Sequence, residues 1–407
     1  TLHVLNTSVL MKKSVLQRIQ TFNANRDSQL VQLKYKFLAE NVFRFYRGTC
    51  HLFVEDLSKN ISWSDATRCW ICGDLHIENF GSYKGDNGIV YFDTNDFDES
   101  ILAPATYDIA RMLTSIYLAA SAYNFTEATA DNLCRMFVNK YAEVLKAGKP
   151  LIIERQVATG LLQQFLIQVA TRPEQDFFDD RIEFKNKKPQ VIIKKKKTIA
   201  IESAKKEMLL KNINDWFAAN AVQYSAADAA YRIAGTGGVG MQRFIVPSYD
   251  KQLNKLHLFD IKESPSSSLQ PYIKIPQPKW NTQAERITAV QKRVQHVTPA
   301  LLLPMTIDKK SFVLKELQPS EDRMDLTLCE GKESKLAHIL ETMAQVTASG
   351  HLRSSGRQGS SIADELIEFG AKHETWSNAV MAYAKKYSLQ VQSDYEEYCK
   401  SFLNDKN

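Results

Sequence analysis

Four oxygen-bearing side chains crowd one short part of the chain. Asp74 and Asn79 stand in Cys72-Gly73-Asp74-Leu75-His76-Ile77-Glu78-Asn79-Phe80-Gly81, and Asp96 and Asp98 in Asp93-Thr94-Asn95-Asp96-Phe97-Asp98-Glu99. Carboxylate and amide oxygens are the natural ligands of Mg²⁺, which keeps part of its shell for water and substrate phosphates. An ordinary hairpin also has solvated acids at its turns, but this many oxygen donors in so little chain point to chemistry. Two apolar runs, Cys69-Trp70-Ile71-Cys72 and Ile89-Val90-Tyr91-Phe92, lead into the two acidic segments. Both read as buried strands, and the connection carrying Gly81, Gly85 and Gly88 reads as a loop.

A second constellation lies downstream. Gly235-Thr236-Gly237-Gly238-Val239-Gly240 is followed by strand-like Gln242-Arg243-Phe244-Ile245-Val246 and Leu256-His257-Leu258-Phe259-Asp260-Ile261-Lys262-Glu263. Glycines in such a turn let backbone N–H groups close around phosphate oxygens without a side-chain clash. No Lys-Ser or Lys-Thr follows the glycines, which excludes a Walker loop. A strand rather than a helix comes next, which argues against a dinucleotide fingerprint. A Gly-rich hairpin with a strand ending in Ile-Lys is the arrangement that covers ATP phosphates in kinases.

The other elements must hold these two constellations. Residues 1–50 read as mostly helical, with Asp27-Ser28 as a cap and Gly48 as a stop. Helices are expected after Asp108, over 126–147, 156–171 and 282–296, and from 334 onward with a Ser/Gly-rich break at 349–361. Further strands are expected at 300–305 and 312–317. Residues 185–197 carry seven lysines; the run suits an anionic partner, or a solvated edge with lysine gatekeepers.

Composition bounds the rest. The chain has 407 residues, 44% hydrophobic and 24% charged, which is ordinary for a globular protein with a large core. A net charge of +6 suits an anionic small molecule such as a nucleotide and does not call for nucleic acid. Six scattered cysteines form no disulfide framework, and Cys69-x-x-Cys72 reads as buried strand thiols. No apolar run is long enough for a transmembrane span, and the first residues lack the order of a signal peptide, so a cytoplasmic location is expected. Thr1 stands where a start would have Met, so a trimmed leader stays open. A metallophosphoesterase needs histidine ligands in Gly-Asn-His-Glu and Gly-His-x-His runs, and neither occurs. A serine hydrolase elbow is also missing.

Gly-Asp-Leu-His-x-x-Asn at 73–79, Asp-Phe-Asp at 96–98 and Tyr-Asp-Ile-Ala at 107–110 resemble the catalytic signature of aminoglycoside and choline kinases. More closely, Phe-Tyr-Arg-Gly (45–48), Gly-Asp-Leu-His-Ile-Glu-Asn-Phe-Gly (73–81), Asn-Asp-Phe-Asp-Glu (95–99), the glycine turn and Ile-Lys-Glu (261–263) resemble the uncharacterised bacterial family DUF2252. The resemblance implies an α+β, protein kinase-like bilobal fold with a helical lobe and a small antiparallel-sheet lobe. It also implies ATP and Mg²⁺ as cofactors. By it Asp74 is the catalytic aspartate, Asn79 and Asp96 hold metal, and Lys262 pairs the phosphates. Gly235, Thr236, Gly237, Gly238 and Gly240 cover the phosphates. Glu285, or else Gln291, partners Lys262, and Glu316 and Leu317 supply adenine-hinge contacts. Asp108 braces the catalytic loop, and Cys72 stands where the kinase pattern has His.

The order is unusual, since the catalytic loop precedes the glycine turn by about 160 residues (235 − 74). The expected fold is therefore circularly permuted, with a helical lobe from 1–219 and 319–407 and a nucleotide-binding sheet lobe from 220–318. The expected activity is ATP/Mg-dependent phosphoryl transfer to a small-molecule or protein hydroxyl. A kinase-like AMP transferase and a nucleotide-binding pseudokinase acting through interactions are the alternatives.

Overall fold

A computed structural model of the protein describes residues 13–235 and 237–404. It is mixed α and β, with small antiparallel sheets among many helices. The helices Val15–Asn23, Ser28–Leu38, Val42–Gly48 and Cys50–Asn60 come first. Ser14 and Gln17 close a reciprocal capping box at the first of these. Asp27 caps the second, its carboxylate accepting from Leu30 N at 3.0 Å.

Helix Thr106–Ala122 is the axis of the helical body. Every residue from Thr106 to Ala120 is buried, the polar Asp108, Arg111, Thr114 and Ser115 included, so this helix is covered on all sides. Glu127–Ala147 and Ser377–Asn404 pack on it, and Glu333–Arg353 and Ala363–Ala371 pack on Glu127–Ala147. Trp70, Trp376, Phe53 and Tyr398 fill the spaces between, each worth about 2–3 kcal/mol of apolar burial. The first and last described helices meet, with Val15 N donating to Glu397 Oε1 at 2.9 Å.

The large sheet has seven antiparallel strands. Its order is Leu303–Ile307, Lys310–Glu316, Lys255–Glu263, Arg243–Asp250, Ala230–Arg232 and Thr198–Ile199, with Tyr224–Ala226 also pairing to Arg243–Asp250. The two-residue pleat sorts the side chains. Phe259, Ile261, Phe244 and Leu314 face helix Ser203–Asn220, where Ile213 and Phe217 meet them. Asp260, Lys262, Arg243, Val313 and Lys315 lie on the opposite face. Helix Ser203–Asn220 precedes the boundary expected at 219/220, yet it packs on this sheet.

Several local expectations differ from the structure. Strands form at Cys69–Ile71 and Val90–Thr94, but they do not pair with each other. Cys69–Ile71 pairs with Ile101–Ala103, and Val90–Thr94 pairs with Phe80–Lys84, a strand that takes up the front of the expected glycine loop. The Ser/Gly break begins late: helix Glu333–Arg353 runs through Gly350, where a Cβ would lie 2.7 Å from Val294 Cγ1. A small residue is needed there for close packing, not for a turn. The first part of the lysine-rich run lies in a hairpin, Ile182–Lys185 with Lys188–Val191, turning on Asn186 and Lys187 at positive φ, and the lysines at 194–197 follow it in a loop and turn. All six cysteines are unpaired, and among the described residues no helix is long and apolar enough to cross a membrane.

Candidate functional site

Strand Cys69–Ile71 delivers Gly73 and Asp74. Asp108, in the first turn of helix Thr106–Ala122, accepts from Cys72 N at 3.0 Å and Gly73 N at 2.9 Å and so fixes the loop. Gly73 has φ +82°, and a Cβ there would lie 2.3 Å from Glu99 O. Only glycine fits this turn. Cys72 Sγ lies 3.7 Å from Asp108 Oδ1, at the position where the kinase pattern has His.

Arg111 sets the direction of Asp74. Its Nε and Nη2 donate to Asp74 Oδ1 at 2.9 and 2.7 Å. The guanidinium is fully buried and stacks 3.8 Å from the Tyr46 ring centre. Asn79 joins the two acidic segments: its Nδ2 donates to Asp74 O at 3.1 Å and Asp96 O at 3.3 Å, and its Oδ1 accepts from Asp96 N at 2.9 Å.

Lys262 reaches this loop from the sheet. Its ammonium is ion-paired to Asp98 and lies 3.5 Å from Asp96 Oδ1. Lys262 draws Asp96 below the usual carboxylate range, while burial and the Asp96 charge push Asp98 up. Arg286 pins the same loop from helix Gln283–Val294, donating to Asp98 O at 2.9 Å and to Pro265 O at 3.0 Å.

A cleft of about 370 Å³ opens between these parts. Asn79, Asp96 and Asp98 form one wall, and Arg243, Asp260, Lys262 and Lys315 of the sheet form the other. Although Asp260 is buried, Arg232 and Arg243 hold its carboxyl well below the usual range. A smaller cavity of about 50 Å³ lies between Asp74 and Gly237-Gly238, and it shares Arg47, Asp96 and Asp98 with the cleft.

The sequence model of a family described as an uncharacterized protein conserved in bacteria (DUF2252) matches residues 26–401. The chain belongs to the DUF2252 family. No curated protein and no solved structure matches it. The match spans both acidic segments, the glycine turn and Lys262, so one family unit carries all the parts of the cleft.

This DUF2252 protein brings most of the expected residues together. Gly235 lines the large cleft, while Gly237 and Gly238 line the small cavity, Gly238 lying where a Cβ would sit 3.5 Å from Lys262 Cε. Gly240, at φ +101°, turns against Arg26 and Val31. Thr236 lies outside the described residues. Three expectations fall elsewhere. Glu285 caps its own helix, accepting from Asn281 N at 3.0 Å, whereas Gln291 lines the cleft. Glu316 pairs with His257 Nδ1 at 2.5 Å, and Leu317 N donates to Leu258 O at 2.7 Å. Both border a separate pocket of about 400 Å³ with Lys84 and Arg172. Asp93, a competing ligand by type, is buried against Arg353 at 3.0 Å.

Arg47, which with Arg44 was a candidate phosphate contact by sequence, lines the cleft, while Arg111, Arg243 and Arg286 were not among the expected site residues. Arg111 left a signal, standing one helical turn after Asp108. The alternation Asp260-x-Lys262 placed both side chains on one strand face. Among the described residues, no group of three or more His, Cys, Asp or Glu side chains could hold a metal. The donor set beside the cleft is instead the amide of Asn79 and the carboxylate of Asp96, which is 56% exposed. Oxygen donors that leave room for water and phosphate fit Mg²⁺.

Proposed function

We propose that this protein is an ATP- and Mg²⁺-dependent phosphotransferase with a permuted, kinase-like fold, acting on a hydroxyl acceptor. The observation that carries the reading is the meeting of Lys262 with Asp96 and Asp98 across one cleft, next to Asp74 and under Gly238. These are the groups that phosphoryl transfer needs: an orienting carboxylate, oxygen ligands for a cation, and a lysine for the phosphates.

Bound at Asn79 and Asp96, Mg²⁺ would supply charge neutralisation on the phosphate oxygens. The chain's own residues do the rest. Arg111 fills Asp74 Oδ1 and leaves Oδ2 to orient the acceptor hydroxyl. Lys262 exchanges its carboxylate partners for phosphate oxygens. Arg243 and Lys315 add positive charge on the same sheet face. Most of the rate gain expected here is positioning and charge stabilisation.

The same Arg111–Asp74 pairing favours a second reading, a nucleotide-binding protein without turnover, because the guanidinium already engages the carboxylate. The decisive experiment compares wild type with Asp96→Ala, using Mg-ATP carrying label at either the α- or the γ-phosphate. Wild type should bind Mg-ATP and release or transfer the γ-label, and Asp96→Ala should lose metal-dependent binding. Transfer of the α-label instead identifies AMP transfer. Binding without turnover identifies the second reading, and an Asp96→Ala variant that behaves as wild type sinks the assignment.

A further inference from the structure

The small cavity between Asp74 and the glycine turn has features that the catalytic reading leaves unused. Its volume of about 50 Å³ exceeds the ~10–15 Å³ that one water needs, so it has room for one small group. Helices Ser28–Leu38 and Cys50–Asn60 contribute Lys34 and His51 to its lining. Lys34 is 1% exposed, and its ammonium donates to Gly237 O at 3.0 Å. Among the described residues that is one bond for a group with three donors. His51 is 7% exposed and stacks flat on Phe22 at 3.9 Å. Neither of its ring nitrogens has a hydrogen-bond partner among the described residues. Buried polar groups are normally satisfied, so this pair calls for a ligand.

Of the four acids that share the cavity, Asp98 is held by Lys262 and Glu99 by Ser267 and Ser268, Arg111 holds one oxygen of Asp74, and Asp96 lies 3.5 Å from Lys262. Donor capacity therefore faces the cavity unspent, while much of the neighbouring acceptor capacity is committed. Arg26 adds a further cation at the rim, bonded to Gly237 O at 3.2 Å.

We propose that Lys34 and His51 form a subsite for a single phosphate-like oxyanion, roofed by Gly237 and Gly238 and adjoining Asp74. Burial, with the Arg26 charge beside it, drives Lys34 well below its ordinary range, and burial among Lys34, Arg26 and other cations keeps His51 neutral; a bound anion restores the lysine charge, and the imidazole donates from one nitrogen. The subsite rests on the phosphotransferase reading for its role. The oxyanion has two sources, the terminal phosphate of the nucleotide or an anionic group on the acceptor.

Calorimetry separates the sources, using Mg-ATP, Mg-ADP, and inorganic phosphate added alone and on top of Mg-ATP. The variants are Lys34→Met, which keeps the volume and removes the charge, and His51→Phe, which keeps the stack on Phe22. If Lys34→Met misfolds, His51→Phe carries the test. For the nucleotide source, wild type binds Mg-ATP at least tenfold tighter than Mg-ADP, and the variants lose that preference. For the acceptor source, wild type binds phosphate on top of Mg-ATP, and the variants weaken it at least tenfold. Variants that bind all probes as wild type does, or a wild type with neither ATP preference nor phosphate binding, overturn the subsite. Lys34-dependent phosphate binding without nucleotide binding upholds the subsite and overturns the phosphotransferase reading. Nucleotide binding that both variants leave unchanged does the reverse.

Discussion

Asp74 owes its placement to one buried guanidinium, and that makes Arg111 a sensitive position. Arg111→Met removes three hydrogen bonds, two to Asp74 and one to Tyr46 O, and leaves the Asp74 carboxylate without its partner. Breaking a buried pair from one side costs about 3 kcal/mol, so the urea midpoint should drop clearly. Arg111→Lys should recover part of the stability but not the turnover, since an ammonium cannot reproduce the two-nitrogen grip. Equal turnover in Arg111→Lys and wild type would show that Asp74 does not need this orientation. Asp93 makes a separate prediction about pH. Burial raises its carboxyl to about 6, with Arg353 opposing. The folded value lies above the unfolded one, so the folded state binds more protons and stability falls as pH rises from about 4 through about 6. Asp93→Asn lacks this term. The stability of wild type relative to Asp93→Asn should therefore decline across that window by on the order of 2 kcal/mol, as read from urea midpoints at each pH. A difference that stays flat with pH contradicts the shift.

The elements explain why the loop tolerates so little change. Cys69–Ile71 pairs with Ile101–Ala103, which brings Glu99 over Gly73. Gly73→Ala adds both a positive-φ penalty and a clash with Glu99 O, together about 2–4 kcal/mol. Denaturation should show that loss, and nucleotide-dependent turnover should disappear with it; a variant as stable as wild type would mean the turn can relax. Strands and helices with strong periodicity were legible, among them Thr106–Ala122, Glu127–Ala147 and the Lys262 strand. The partners of Cys69–Ile71 and Val90–Thr94 were not, because short apolar runs carry no information on pairing. Glu285 was misplaced for a related reason: a glutamate three residues after Thr282 fits a helix cap as well as it fits a lysine partner, and the cap is local. Lys34 and His51 gave no motif. Their burial is decided by the glycine turn, which is remote in sequence and lies over them only in the fold.

At the scale of the whole molecule, one long excursion of the chain makes the cleft. The chain leaves the helical body before Thr198–Ile199, builds the sheet, and returns through Asp322–Arg323, which pairs with Phe80–Lys84 beside the acidic loop. The glycine turn and the acidic loop are therefore coupled through Lys262 on one side and through this return strand on the other. A ligand that binds across the cleft must order both at once, and binding to the native state alone stabilises by about 2.7 kcal/mol at a hundred times its dissociation constant. Hydrogen exchange tests the coupling directly. Adding Mg-ATP should slow exchange in peptides covering 94–99 and in those covering 237–241 together. Lys262→Met should abolish both protections, because it removes the side chain that the two segments share. Protection of the acidic loop alone would mean that the glycine turn does not close over the ligand, and the phosphate-cover role of Gly237 and Gly238 would fall while the metal-holding role of Asp96 stood.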